Sequence, residues 1–197
     1  MGTSTRDGST SQARARLLST ATRIFYTEGI HSVGVDRVLA EAQVTRATLY
    51  RHFTGKEELI LAYLQQADQG IREQVAAGRA GAVTAADAVR GVSRSIAGGI
   101  RSSGFRGCAF LNAAAEYPDA DHPVHRTVLA HRQWFLDTAT HLLGQAGCAP
   151  ADEAGRHFVM LRDGAMAAGC LFDPALISAT FLRGVDGLLR TGKGHAA

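Results

Sequence analysis

Between Gln43 and Glu58 the chain reads Gln-Val-Thr-Arg-Ala-Thr-Leu-Tyr-Arg-His-Phe-Thr-Gly-Lys-Glu-Glu, a short helix with its apolar and cationic residues on separate faces. Thr45 is placed to cap its start, because a threonine hydroxyl accepts from the amides of the first turn, and Thr54-Gly55 closes it. Leu49 and Phe53 stand four apart, share one stripe and face inward. The other arc carries Arg46, Thr48, Tyr50, Arg51 and His52, and Lys56 follows at the start of the next helix. Upstream, Val35, Val38, Leu39 and Ala42 repeat at helical spacing, and Gln43-Val44 leaves room only for a tight turn. Two short helices joined so closely form a helix-turn-helix, whose second helix enters the major groove of DNA.

The run Phe25-x3-Gly29, Val35-x2-Val38 and Val44-Thr45-Arg46-Ala47-Thr48-Leu49-Tyr50-x-His52-Phe53-x2-Lys56-Glu57-x-Leu59 resembles the amino-terminal domain of TetR (tetracycline repressor) family transcriptional regulators. The resemblance covers about 50 residues and implies an all-α fold. A three-helix DNA-binding domain would precede a helical ligand-binding and dimerisation domain, with about nine helices in all. Two positions depart from the family pattern. Gln43 stands where glycine is usual, so a left-handed Gln43 carries strain on the order of 1 kcal/mol. Gly34 stands where Ser or Thr usually caps the second helix, a loss of about a few tenths of a kcal/mol.

The expected DNA contacts are Thr45, Arg46, Ala47, Thr48, Tyr50, Arg51, His52 and Lys56. Arg46, in the first turn, is the candidate for a base edge, and Thr48 for a thymine methyl. Thr45, Tyr50, His52 and Lys56 would hold phosphates and set register, Tyr50 and Lys56 on the strength of the family resemblance.

Charge supports a polyanion partner for the first part alone. Residues 1–56 hold eight Lys/Arg against four Asp/Glu, a net +4, whereas the remainder holds 13 against 14. With 197 residues and 46% hydrophobic content the chain can bury a real core. It has no run of 18 apolar residues and a polar start without an apolar signal core, so the expected location is the cytoplasm, with no membrane partner. Cys108, Cys148 and Cys170 fit neither a disulfide framework nor a zinc-ligand pair.

Taken in order, residues 1–11 read as a disordered tail, 12–55 as the helix-turn-helix domain, 56–191 as the effector-binding and dimerisation domain, and 192–197 as a second tail. Ser11 to Gly29 forms the first helix, with Leu17, Leu18, Ala21, Ile24 and Phe25 on its inner face. Lys56 to Ala77 is a longer helix that runs from the first domain into the second. Thr84 with Asp87 starts the next, reaching Ser102. Cys108 to Glu116 is a short helix stopped at Tyr117-Pro118, and Asp121 is placed to cap another beginning at His122-Pro123. The pattern Cys-x-Phe-Leu-Asn-x3-Glu-x-Pro followed by His-Pro is similar to one subgroup of TetR regulators, which implies topology but no ligand. Ala151 to Phe172 and Pro174 to Arg190 are the last two helices.

Those two helices are the expected homodimer interface, through Leu161, Ala165, Ala168, Phe172, Phe181, Leu182, Val185 and Leu189; the apolar arc of the last, roughly 140° wide, exceeds one buried stripe. The expected effector is small and mostly apolar or aromatic, in a pocket drawn from Phe105, Phe110, Asn112, Tyr117, His131, Trp134, Phe135, His157 and Met160. No cofactor or metal is called for; His122 and His125 have ligand-like i, i+3 spacing but also suit a polar helix start. A sequence-specific regulator, released from a pseudo-palindromic operator by an effector, is the reading that results. Two alternatives are a redox-responsive regulator sensing through Cys108 and a helical enzyme using Glu116, Asp119 and His122. Against the enzyme stands the absence of any phosphate-binding loop, Gly-x-Ser-x-Gly or His-Glu-x2-His motif. Effector, operator and regulated genes are not legible in the sequence.

Overall fold

The computed structural model describes the backbone of residues 4–191 and the side chains of residues 12–190. Among these residues the fold is all helical: α1 Ser4–Glu28, α2 Val35–Ala42, α3 Arg46–Tyr50, α4 Lys56–Arg79, α5 Ala85–Ile100, α6 Ala109–Glu116, α7 Pro123–Gln145, α8 Ala151–Ala168 and α9 Pro174–Thr191. The tail expected at residues 192–197 lies outside the described residues, as do the first three residues of the one expected at 1–11. The rest of that stretch belongs to α1, which starts at Ser4 and not at Ser11.

Two compact units are present. One combines the described residues up to Ala67 with Ala109–Val128; the other combines Asp68–Cys108 with those from Leu129 onward. Helices α4 and α7 each begin in the first unit and end in the second.

The core of the first unit holds Leu17, Ala21, Ile24 and Phe25 of α1, Val38 and Leu39 of α2, Leu49 of α3, Phe53, and Leu59, Ile60, Tyr63 and Leu64 of α4. Helix α1 ends as its sequence requires, at Gly29 with φ 92°, a backbone conformation that costs a Cβ-bearing residue about 1–2 kcal/mol. The core of the second unit joins Val89, Val92 and Ile100 of α5, Phe135, Leu142 and Leu143 of α7, Phe158 and Val159 of α8, and Phe181, Val185 and Leu189 of α9. Helix α5 opens with the expected capping box: Thr84 Oγ1 accepts from the Asp87 amide at 3.1 Å, and the Asp87 carboxylate accepts from the Thr84 amide at 3.2 Å.

Helix ends differ from expectation at two places. Asp121 does not cap α7; the ring Nδ1 of His122 accepts from the Val124 amide at 3.2 Å, while the Asp121 amide is bound back to Asp119 at 3.0 Å. Pro123 supplies no N–H, so the first free amide is Val124, and His122 is the residue within its reach. Helix α8 ends at Ala168 and not at Phe172, because a run of turns from Gly169 onward brings Leu171 and Phe172 to the surface.

Candidate functional site

The helix-turn-helix is built from backbone chemistry outward. Helix α2 closes in two hydrogen bonds, the Gln43 amide to Ala40 O at 3.2 Å and the Val44 amide to Leu39 O at 3.1 Å. This closure demands a left-handed residue, and Gln43 supplies it at φ 52° and ψ 48°. Thr45 follows in extended conformation and caps α3, its Oγ1 accepting from the Thr48 amide at 3.2 Å and lying 2.9 Å from the Thr48 hydroxyl. Leu49 is 1% exposed and Phe53 2%, so the apolar side of α3 is locked down. Arg14 of α1 places its guanidinium 5.1 Å from the Phe53 ring centroid.

What remains outward is the expected set, with differences in availability. Thr45, Arg46, Ala47, Tyr50 and Arg51 are exposed, Tyr50 by 56%; packing within the domain is therefore not its role in this chain. Arg46 pairs with Asp36 and bonds Tyr50, and these partners, Tyr50 first, raise its pKa above the usual arginine value. Thr48 is half-buried, and so is His52, whose Nε2 is out of contact with solvent and has no hydrogen-bond partner. The Lys56 ammonium donates to Ile30 O at 2.7 Å and lies 6.0 Å from the Phe25 ring centroid. Burial lowers its pKa, with Glu116 opposing, and two of its three N–H donors remain for another acceptor.

Glu116, at the end of α6, is tied to the connection between α1 and α2. Its carboxylate accepts from the Ile30 amide at 2.9 Å and the His31 amide at 2.5 Å. Tyr117 stacks between His31 and His122, each ring centroid 4.6 Å away, and His125 Nδ1 lies 2.6 Å from Tyr117 O. His122 also lies 3.4 Å from the Glu57 carboxylate. Glu116, Asp119 and His122 are thereby occupied in holding backbone and helix ends.

In the second unit the residues expected to line one pocket divide into separate groups. His131 is 4% exposed, and its Nδ1 lies 2.6 Å from Asp68, which accepts from Arg72 at 2.6 Å. Arg72 in turn lies 4.0 Å over the Trp134 ring, and His131 and Trp134 are 5.7 Å apart. From Trp134 an aromatic series runs through Phe135 at 6.2 Å, Phe158 at 6.3 Å and Phe181 at 6.1 Å. Val75, Val92, Phe135, Leu142 and Phe158 enclose a hollow of about 10 Å³, room for one water-sized sphere. Phe105 is half-buried against Gly169. Phe110, Asn112 and Tyr117 lie in the first unit, Phe110 fully buried and Asn112 exposed. His157 and Met160 face outward on α8, Met160 by 69%, on a groove between α8 and α9.

That groove, about 690 Å³, is lined by Leu161, Gly164, Ala165, Ala168, Ile177, Phe181, Gly184, Gly187 and Leu188 among others. Leu161, Leu171, Phe172 and Leu176 are exposed by 36, 75, 64 and 59%. Val185 and Leu189, expected at an interface, are 1 and 2% exposed within the chain's own core, whereas Phe181 and Ala165, 3 and 7% exposed, form the floor of the groove. The reason is geometric: the wide apolar arc of α9 holds two rows. One packs on α5 and α8, with Ser178 donating to Ala97 O at 3.1 Å, and the other is open.

Arg162 carries no signal that sequence patterning could single out. It is 4% exposed, over the Phe135 ring at 5.4 Å and bonded to Asp163 at 2.8 Å. It also bonds the buried Cys108, so a cation from α8 stands beside that thiol.

A capped five-residue helix with outward cations, set three residues after another short helix that ends in a left-handed residue, defines a helix-turn-helix DNA-binding regulator. Comparison with known proteins gives the family. The family model described as "Bacterial regulatory proteins, tetR family" matches residues 17–63. The crystal structure of SCO4454, a TetR-family transcriptional regulator from Streptomyces coelicolor, is 73% identical over 92% of this chain and 96% of that one, with a TM-score of 0.90. This chain belongs to the TetR family of transcriptional regulators; it is not an enzyme. A TetR regulator from Chloroflexus aurantiacus shares the fold at 21% identity, covering 92% of this chain and 96% of that one, with a TM-score of 0.80. Among curated proteins, the transcriptional activator FasR of Mycolicibacterium smegmatis is 40% identical over 55 residues, 28% of this chain and 25% of FasR. The regulator LmrA of Bacillus subtilis is 32% identical over 65 residues, 32% of this chain and 35% of LmrA. The match thus spans a quarter to about a third of these curated relatives' length. No described helix is long and apolar enough to cross a membrane.

Proposed function

We propose that the chain is a homodimeric repressor that binds a pseudo-palindromic operator and leaves it when a small, mostly apolar effector binds. Residues 12–55 would form the DNA-binding module and 56–191 the effector and dimerisation module, acting in the cytoplasm. The observation that carries the reading is α3, with Leu49 buried beneath it and Arg46, Tyr50 and Arg51 outward. Arg46 would exchange Asp36 for a base edge, Thr48 would meet a thymine methyl, and Thr45, Tyr50, Arg51, His52 and Lys56 would meet phosphates.

The open row of α8 and α9 supports a second copy as its partner. Leu161 of α8, Leu171 and Phe172 of the connection, and Leu176 of α9 are exposed apolar side chains, and Gly164, Gly184 and Gly187 line the groove, where small residues allow close approach. A two-fold dimer presents two copies of α3 and so calls for two half-sites. Effector control follows if a ligand binds two conformations of the second unit unequally, because α4 and α7 continue into the first.

Fluorescence anisotropy with duplexes from the region upstream of the chain's own gene tests the DNA contacts. Arg46→Ala should weaken binding at least about tenfold and relax specificity at one position, and Lys56→Ala should weaken all sequences alike. Wild-type binding by both variants would remove α3 as the reading element. Sedimentation equilibrium tests the dimer: Leu161→Glu with Leu176→Glu should give monomers, and a dimer that survives would move the interface elsewhere.

A further inference from the structure

We propose that the effector is a small organic monoanion, a carboxylate on an aromatic or aliphatic body, whose acid group pairs with Arg162. The inference rests on the effector reading above and specifies its chemistry. Arg162 has a side chain only 5% exposed, and its Nε has no hydrogen-bond partner. It bonds the buried Cys108 thiol, and its one carboxylate contact, Asp163 at 2.8 Å, is shared: Arg132 donates to the same carboxylate from both terminal nitrogens, one at 2.9 Å. Two guanidiniums therefore share one carboxylate. The neighbouring carboxylate of Asp68 does not restore balance, because it is already matched by Arg72. His131, beside Asp68, is held neutral because burial lowers its pKa more than the Asp68 bond raises it.

A buried cation with an unmet donor is costly in the empty protein and is stabilised by an anion that accepts from it. A carboxylate fits the planar edge of a guanidinium better than a spherical anion does, since it can take two parallel bonds. The surroundings select the rest of the ligand. Arg162 lies over the Phe135 ring, and Phe135 borders the hollow of about 10 Å³. That volume admits no organic body, so entry requires Phe135 to move. Trp134, 6.2 Å from Phe135, would register the movement.

The test titrates acetate, benzoate and octanoate, and the corresponding primary amides, into the full-length protein at constant ionic strength. Trp134 fluorescence and the melting temperature are read together. At least one acid should bind and raise the melting temperature, at least about tenfold more tightly than its amide, the margin expected of a hydrogen bond to a charged group. Arg162→Met should fold with an unchanged or higher melting temperature, because Arg132 and Asp163 remain as a balanced pair, and should lose the preference for acid over amide. Arg162→Lys should keep the preference in weakened form. The proposal is overturned if no acid binds, if amides bind as well as acids, or if Arg162→Met binds acids like the wild type. It is also overturned if both Arg162 variants melt well below wild type and the acids stabilise none of the three proteins, which would make Arg162 purely structural. Operator binding without any acid is measured in parallel, and its loss would count against the DNA-binding reading alone. Acid binding that leaves operator occupancy unchanged would overturn the effector role.

Discussion

Replacing Glu116 with alanine removes the acceptor that orders the connection between α1 and α2. Two amides lose their partner at once, Ile30 at 2.9 Å and His31 at 2.5 Å. A hydrogen bond to a charged group contributes about 1.5–3 kcal/mol, but the Glu116 side chain is 23% exposed and His31 is at the surface, so water can replace the bond to His31. Ile30 is 2% exposed, and its amide is the one left poorly satisfied. The expected loss is therefore about 2 kcal/mol, a large part of the 5–15 kcal/mol that stabilises a typical domain. Hydrogen exchange on the full chain should show it locally, with protection at the Ile30 amide falling roughly 10- to 100-fold and the Leu17 and Leu64 regions changing less. Glu116→Gln, which keeps one carbonyl acceptor without the charge, should fall between the two. Operator affinity should drop as well, because the same connection sets where α2 begins and supplies the carbonyl that holds Lys56. If Glu116→Ala leaves stability within about 0.5 kcal/mol and exchange at Ile30 unchanged, the carboxylate does not order this connection and the reasoning fails.

Two further outcomes follow from packing and charge. Gly70→Ala in α4, where an added Cβ meets nothing within 4 Å, should stabilise by about 1 kcal/mol in urea unfolding. Gly91→Ala in α5 should destabilise by about 2 kcal/mol or more, because its Cβ would lie 1.9 Å from Gly78 O, which is backbone and cannot turn aside; equal effects at both sites would disprove the close crossing. His131, facing Asp68 with Arg132 and Arg162 nearby, has a pKa lowered chiefly by burial. Its neutral form is favoured in the folded state, so the contribution is present above about pH 6.5 and is lost as the unfolded chain gains a proton below it. Melting temperature should fall less between pH 7 and 5 in His131→Gln than in the wild type, and parallel curves would show that His131 does not titrate differently on folding.

The helix-turn-helix was legible because its rules are local. The Thr45 cap, the inward pair Leu49 and Phe53, and the turn at Gln43 each depend on residues within one or two turns. Helix ends were less so: α1 starts earlier than its apolar repeat, because polar residues continue a helix without marking it. The second unit resisted for another reason. Which of two apolar rows on α9 is buried depends on α5 and α8, about 80 and 20 residues away, and periodicity cannot rank the rows. His131 with Asp68, Glu116 with Ile30, and Arg162 with Cys108 are 63, 86 and 54 residues apart; no spacing rule reaches them. Followed directly by Asp163, Arg162 reads in the sequence as an ordinary helix charge.

The two rows of α9 also bear on how this chain would tell its own kind from related chains. Val185 and Leu189 are committed to folding, and a change there is felt by the protomer itself. Ile177, Thr180, Gly184 and Gly187 line the open groove, and a change at exposed Thr180 alters little of the protomer's own packing. Partner choice between copies is then encoded separately from foldability. One new bulky or charged residue on the outer row can bar a foreign chain, and a matching change opposite can restore self-pairing. A duplicated gene could become an independent regulator by this route, parting from its parent in a few outward substitutions while both remain fully folded.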